Sequence, residues 1–180
     1  MVFDKLKSIK LLILDVDGVL TDGSIIYNDN GSETKVFNVK DGLGIKLLME
    51  AGIALYVVTA RHSKALYNRC NNLGIEHIFD NVKDKAILLD HFLDHAGISA
   101  SEVAFIGDDL PDLALMKMVG LSIAVADAPQ IVLKNADMIT SAKGGSGAVR
   151  EVCEAILKAQ GIWDNILERY FKLGASPQLE

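Results

Sequence analysis

Two cysteines in 180 residues, Cys70 and Cys153, are too few for a disulfide framework, and both fall in helix-like sequence. They read as reduced packing residues of a cytosolic protein. Long apolar runs are also missing: charges interrupt each one before it reaches the length of a membrane span. Met1 to Lys10 alternates charge with apolar side chains and lacks the apolar stretch of a secretory signal, so a cytoplasmic location is the expectation. Asn30-Gly31-Ser32 matches a glycosylation sequon, a coincidence without export. Positive charge is in deficit, 18 Lys and Arg against 24 Asp and Glu, for a net charge of -6. That balance argues against nucleic acid or an anionic membrane as the main partner. It leaves an anionic small substrate admissible, because a bound divalent cation reverses the local field. No internal repeat or low-complexity tract stands out. What the chain does have is 50% hydrophobic and 23% charged residues, and length for one sizeable core. A single domain over 1–180 is expected.

The stretch Leu11-Leu12-Ile13-Leu14-Asp15-Val16-Asp17-Gly18-Val19-Leu20-Thr21 organises the rest. Leu11 to Leu14 is the continuous apolar run of a strand buried on both faces. Its end places Asp15 and Asp17 two residues apart, and Gly18 lets the chain leave the strand close to a ligand. Carboxylates at the end of a buried strand are costly unless a cation or a reaction uses them. An Asx-turn with a capping carboxylate is the plain alternative for an isolated D-x-D.

Further along, Ser24 to Asn28 and Thr34 to Val39 read as strands of an antiparallel hairpin (about 24–39). Asn30-Gly31 lies at its centre, since both residues tolerate positive φ. Asp41 is placed to cap a helix running to about Gly52. Ile53 to Val58 is a second buried strand, ending in Thr59-Ala60-Arg61. A helix from about Ser63 to Leu73 stops at Gly74. His77 to Phe79 is a short strand, and a helix from about Lys83 to His95 stops at Gly97. Ser99 and Glu102 resemble a capping box but lead into a strand over Val103 to Ile106, which ends in Gly107-Asp108-Asp109-Leu110-Pro111-Asp112. A helix to about Val119, a strand over Leu121 to Val125, a short helix near Pro129 to Lys134 and Met138-Ile139 follow. Two helices, Ala148 to Gln160 and Trp163 to Phe171, precede a polar tail (148–180 together). Strands alternating with helices imply βαβ units, hence an α/β, doubly wound, mainly parallel sheet. Ligands of such sheets sit outside the carboxyl ends of the strands, where Asp15/Asp17, Thr59 and Asp108 all fall.

D-x-D-G-V-L-T, a strand-end Thr, a downstream Lys and G-D-D-x-x-D, in this order from Leu11 to Asp112, resemble the haloacid dehalogenase superfamily of phosphotransferases. The resemblance implies that Asp15 is the nucleophile of an aspartyl-phosphate route and binds Mg²⁺. Asp17 would be the general acid and base and would give its backbone carbonyl to the metal. Asp108 would complete the direct ligands, few being needed because Mg²⁺ keeps several waters. Asp109 and Asp112 would act at one remove or through water, with helix capping the alternative for Asp112. Thr59 would donate its hydroxyl to the phosphate, and Lys85 would place an ammonium against phosphate and Asp15. Lys83 competes for the lysine role by spacing; the family pattern, in which the lysine opens the helix, favours Lys85.

Neither the interval from Asp17 to Thr59 nor that from Thr59 to Asp108 has room for a cap domain, so another body is expected to shield the site. Among capless members the chain resembles the 3-deoxy-D-manno-octulosonate 8-phosphate (KDO-8-phosphate) phosphatases. D-V-D-G-V-L-T-D-G, the hairpin, V-x-D-G-L-G-I-K from Val39 to Lys46, Ala124 to Ala128 and Gly144 to Glu151 carry that resemblance. It implies a Mg²⁺-dependent phosphomonoesterase acting on a phosphorylated keto-sugar acid in lipopolysaccharide precursor synthesis. It also implies a homotetramer with meeting hairpins and tails that reach a neighbouring site, and Arg61 holding the substrate's anionic end. Thr59-Ala60-Arg61 departs from the commoner S-G-R, and the tail after Lys172 has no matching feature. A phosphatase for a nine-carbon keto-sugar acid 9-phosphate is the near alternative. A phospho-receiver module and a catalytically idle relative are the distant ones, and a shared Asp15/Asp17 loop and an intact acid–lysine set speak against each. Gly144 to Gly147 lacks the lysine of a nucleotide loop. His91 and His95, one turn apart around Asp94, read as surface histidines without a third ligand.

Overall fold

The computed structural model describes residues 1–173. Helix α1 (Val2–Ser8) leads into β1 (Leu11–Leu14), the hairpin strands β2 (Ile26–Tyr27) and β3 (Glu33–Thr34), and helix α2 (Val39–Glu50). Then come β4 (Ala54–Val58), α3 (Lys64–Leu73), β5 (His77–Phe79), α4 (Leu89–Ala96) and β6 (Val103–Gly107). The chain continues through α5 (Leu113–Met116), β7 (Leu121–Ala124), α6 (Gln130–Leu133), β8 (Met138–Ile139), α7 (Ala148–Ala159) and α8 (Trp163–Leu173). Six strands form one sheet in the order β5-β4-β1-β6-β7-β8, every neighbouring pair parallel. Among the described residues no folded unit caps this sheet; β2 and β3 form a separate antiparallel pair.

β1 sits at the centre because its four residues are wholly buried, with Leu14 paired to Val57 on one side and Ile106 on the other. Each such side chain contributes roughly 1.5–3 kcal/mol by leaving water. From β1 the chain moves outward through β4 and β5, then returns to the opposite side of β1 and moves outward again through β6, β7 and β8. The direction reverses between β1 and β6, the kind of switch point that leaves a crevice at the strands' carboxyl ends. Asp15 and Asp108 are the first residues beyond those two strands.

Several local expectations give way to better capping. Asn38, not Asp41, caps α2: its side chain accepts the Lys40 N–H at 2.8 Å. Asp41 is buried in the first turn and accepts the Arg150 N–H at 2.7 Å, so it caps α7, whose own cap position, Gly147, has no side chain. Because α2 starts at Val39, the second hairpin strand cannot extend that far, and the paired strands are only two residues each. Their turn closes through Gly31 N–H to Asn28 O at 2.8 Å, with positive φ at Gly31 but not at Asn30. The Asn30 side chain instead accepts the Ser32 N–H, an Asx-turn. The helix expected from Lys83 starts two residues later, as a 3₁₀ turn over Lys85–Leu88 capped by Asp84, before α4. Ser99 and Glu102 do form a capping box, on a single 3₁₀ turn (Ala100–Glu102) ahead of β6. α5 ends at Met116, short of Val119. The part of the tail beyond residue 173 lies outside the described residues.

Candidate active site

Asp15 leaves β1 at the crevice, its backbone N–H still bonded to Ile106 O at 3.1 Å, so the ladder itself aims it. Gly18 follows with φ at 92°, a region closed to most side chains, and a Cβ there would run into the Asp108 carboxylate. The Gly144–Gly147 loop packs underneath this turn. Gly145 donates to Val19 O at 2.9 Å, and a Cβ on Gly144 would collide with Gly18 O. That glycine run therefore shapes the acidic loop and is not a nucleotide cradle.

Lys85 opens its 3₁₀ turn fully buried, with its ammonium 2.8 Å from Asp15 Oδ1 and 2.6 Å from Asp112 Oδ1. Lys83 is exposed. The other Asp112 oxygen accepts the Asp108 and Asp109 N–H groups at 2.8 and 3.2 Å, so this side chain both folds the loop after β6 and orients the lysine. Asp109 is exposed and caps the same turn through the Leu110 N–H. Thr59, the first residue beyond β4, is buried at the floor, its hydroxyl accepting the Arg61 N–H at 3.2 Å. Asp15, Asp17, Thr59, Arg61, Lys85, Asp108, Asp109 and Asp112 together line one depression of about 180 Å³.

The electrostatics of this depression call for a cation. Burial pushes the Asp15 carboxyl up to about 6 even against the Lys85 ammonium. Burial, and then the charges of Asp15 and Asp112, push Asp108 up to about 8. Lys85 is disfavoured by its burial, but Asp15 and Asp112 more than offset this and hold it above its ordinary value. One oxygen from each of Asp15, Asp108 and Asp112 lies within 4.8 Å of the others. Three crowded hard oxygens with too little positive charge fit a divalent ion of the magnesium type. Among the described residues this is the group of three that converges so closely. His91 and His95 are exposed and ring-stacked outside it. Cys70 and Cys153 are buried free thiols, and burial pushes Cys70 up to about 11.

Asp17 stands apart from the acid cluster, because its carboxylate is taken up by the hairpin. Lys35 bonds Asp17 and lies 2.9 Å from Glu33, while Glu33 holds Arg61 at 2.7 Å. Tyr27 O–H stands 3.4 Å from the same guanidinium. The bonds from Tyr27 and Glu33 raise Arg61 further, and those from Lys35 and Arg61 lower Glu33. Tyr27, Glu33 and Lys35 are residues that sequence reasoning missed. The available signal was Glu33 and Lys35, two residues apart at the second arm of the hairpin, with charges opposite to Arg61 and Asp17.

Comparison with known proteins places these observations among hydrolases. A family model described as haloacid dehalogenase-like hydrolase matches residues 75–152. The KdsC 3-deoxy-D-manno-octulosonate 8-phosphate phosphatases of Salmonella typhi and Escherichia coli K12 are each 46% identical over 91% of this chain and 87% of their own. The crystal structure of the Yersinia pestis phosphatase is similar at a TM-score of 0.89 and 45% identity, covering 91% of this chain and 88% of that one. The Moraxella catarrhalis phosphatase, solved with magnesium, phosphate and KDO, gives 0.92 and 45%, covering 94% and 97%.

Proposed function

The chain belongs to the 3-deoxy-D-manno-octulosonate 8-phosphate phosphatase family of haloacid dehalogenase-like hydrolases, and from that premise we propose that it hydrolyses KDO-8-phosphate to KDO and phosphate. The observation that carries this reading is Asp15 at the β1/β6 switch point, held by a buried lysine and crowded by Asp108. Asp15, Asp108 and the backbone carbonyl of Asp17 would hold Mg²⁺. When bound, the ion supplies positive charge to the phosphate oxygens and to the carboxylates around it.

The chain's own groups divide the work. An Asp15 carboxylate oxygen forms the new bond to phosphorus while the bond from phosphorus to the sugar oxygen breaks. Asp17 gives its proton to that departing oxygen, which leaves as the sugar's hydroxyl. Water then attacks the aspartyl-phosphate and passes a proton to Asp17, releasing phosphate and restoring Asp15. Lys85 keeps Asp15 aligned and neutralises phosphate charge, and Thr59 offers its hydroxyl to a phosphate oxygen. Asp112 orients Lys85, and Asp109 holds the loop that carries Asp108. Arg61 faces the depression, its buried Nε–H without a hydrogen bond and 3.9 Å from Asp17 Oδ2, a donor suited to the anionic sugar. A separate recess of about 480 Å³, lined by Tyr27, Glu33 and His62 among others, lies between the hairpin and the start of α3.

The exposed apolar face of the hairpin and the start of α2, with Ile25, Ile26, Tyr27, Val36 and Val39, supports a homotetramer in which hairpins meet. No helix among the described residues is long and apolar enough to cross a membrane, and we place this single-domain enzyme in the cytoplasm. The function is tested by phosphate release from KDO-8-phosphate beside nine-carbon keto-sugar acid phosphates and hexose phosphates. Selective turnover of KDO-8-phosphate is expected. Preference for another ester would keep the chemistry and change the substrate.

A further inference from the structure

The hairpin places a buried ammonium on Asp17, a carboxylate of the site that makes no ion pair with Lys85. The Lys35 side chain is only 2% exposed, yet it carries a full charge, and its two partners are Asp17 and Glu33. Glu33 is itself anchored by Arg61, whose Nε lies 3.9 Å from Asp17 Oδ2. The four groups thus form a closed ring of alternating charge around the Asp17 carboxylate. Two of its members come from the hairpin and two from the loops after β1 and β4. Asp17 sits on a turn entered just before Gly18 and makes no side-chain hydrogen bond within the acid cluster. Its rotamer is therefore set from outside the core, by Lys35. A hairpin with only two paired residues per strand has little rigidity of its own, so the ring also fixes the hairpin over the site.

We propose that Lys35 is a positioning residue for the reaction: it holds the Asp17 carboxyl where the leaving oxygen collects its proton. The proposal rests on the reading of Asp17 as the general acid. A misplaced acid penalises leaving groups that need a proton and spares those that do not. The sugar oxygen of KDO-8-phosphate departs as a strongly basic alkoxide unless protonated. The oxygen of p-nitrophenyl phosphate departs as a stable phenolate.

The test compares kcat and KM of Lys35→Met on these two esters at saturating Mg²⁺, with Asp17→Asn in parallel and thermal unfolding as a fold check. Lys35→Met is expected to lower kcat/KM, which reports the steps up to loss of the sugar or phenolate and not the later attack of water, on the order of 100-fold for KDO-8-phosphate and by no more than about threefold for p-nitrophenyl phosphate. If Lys35→Met does not fold, Lys35→Ala with added ethylammonium replaces it, and the amine should restore turnover of the sugar phosphate selectively. Equal losses of kcat/KM on both esters, or no loss on either, would overturn the proposal. Asp17→Asn separates the two levels of the argument. If it shows the leaving-group dependence and Lys35→Met does not, the lysine role fails and the general acid stands. If Asp17→Asn shows none, both fall.

Discussion

Lys85 is the residue whose loss the site tolerates least, because Asp15 and Asp112 both lean on its charge. Lys85→Met leaves two buried carboxylates facing each other, and breaking a buried ion pair in this way costs about 3–5 kcal/mol. Chemical unfolding at pH 7.5 should show a loss of that order, accompanied by loss of phosphatase activity. An unchanged unfolding midpoint would contradict the geometry. The acids also set a pH dependence. Asp15 and Asp108 have folded values of about 6 and about 8, above their ordinary 3.8. Between about pH 4 and 8 the folded metal-free protein therefore binds more protons than the unfolded chain, and its stability falls as pH rises through that window. Magnesium removes the repulsion behind this loss. The Mg²⁺-induced rise in Tm should be larger at pH 8 than at pH 5, and a larger rise at pH 5 would refute the assignment of the cluster as a cation site.

At the scale of elements, two helices depend on each other through one carboxylate. Asp41 on α2 supplies the cap that Gly147 cannot give α7. Asp41→Ala should lower stability by about 0.5–2 kcal/mol, as loss of a helix cap does, with turnover per folded molecule preserved. An unchanged urea midpoint would show that the cap carries no weight. Nothing local in the sequence announces this pairing, since Asp41 lies over a hundred residues from the helix it caps, whereas Asn38, three residues before the expected cap, and Asp84, one residue past the expected helix start, are ordinary local caps. The strands were legible because Leu11 to Leu14, Ala54 to Val58 and Val103 to Ile106 are uninterrupted apolar runs ending in polar residues. Asp15 and Asp108 were legible for the same reason: each is the first polar residue after a buried strand. Lys35 and Glu33 were not, because a hairpin's closure onto the site depends on tertiary docking that a two-residue periodicity does not reveal.

For the whole molecule, the exposed apolar hairpin face is the feature on which the proposed tetramer rests. Light scattering behind size exclusion should report a tetramer, and Ile26→Lys should shift it to smaller species; a fully active monomeric parent chain would contradict the arrangement. The doubly wound sheet serves the chemistry by bringing three strand ends together where its direction reverses, and the hairpin adds the fourth carboxylate's support from outside. All of this converges on one reaction. The most direct test is phosphate release from KDO-8-phosphate by the purified protein, with Mg²⁺ and with the metal removed by chelation, beside Asp15→Asn. Turnover that needs Mg²⁺ and falls to background in Asp15→Asn is the expected result. Equal turnover without metal, or an Asp15→Asn variant as active as the parent, would contradict an aspartyl-phosphate phosphatase built on this acid cluster.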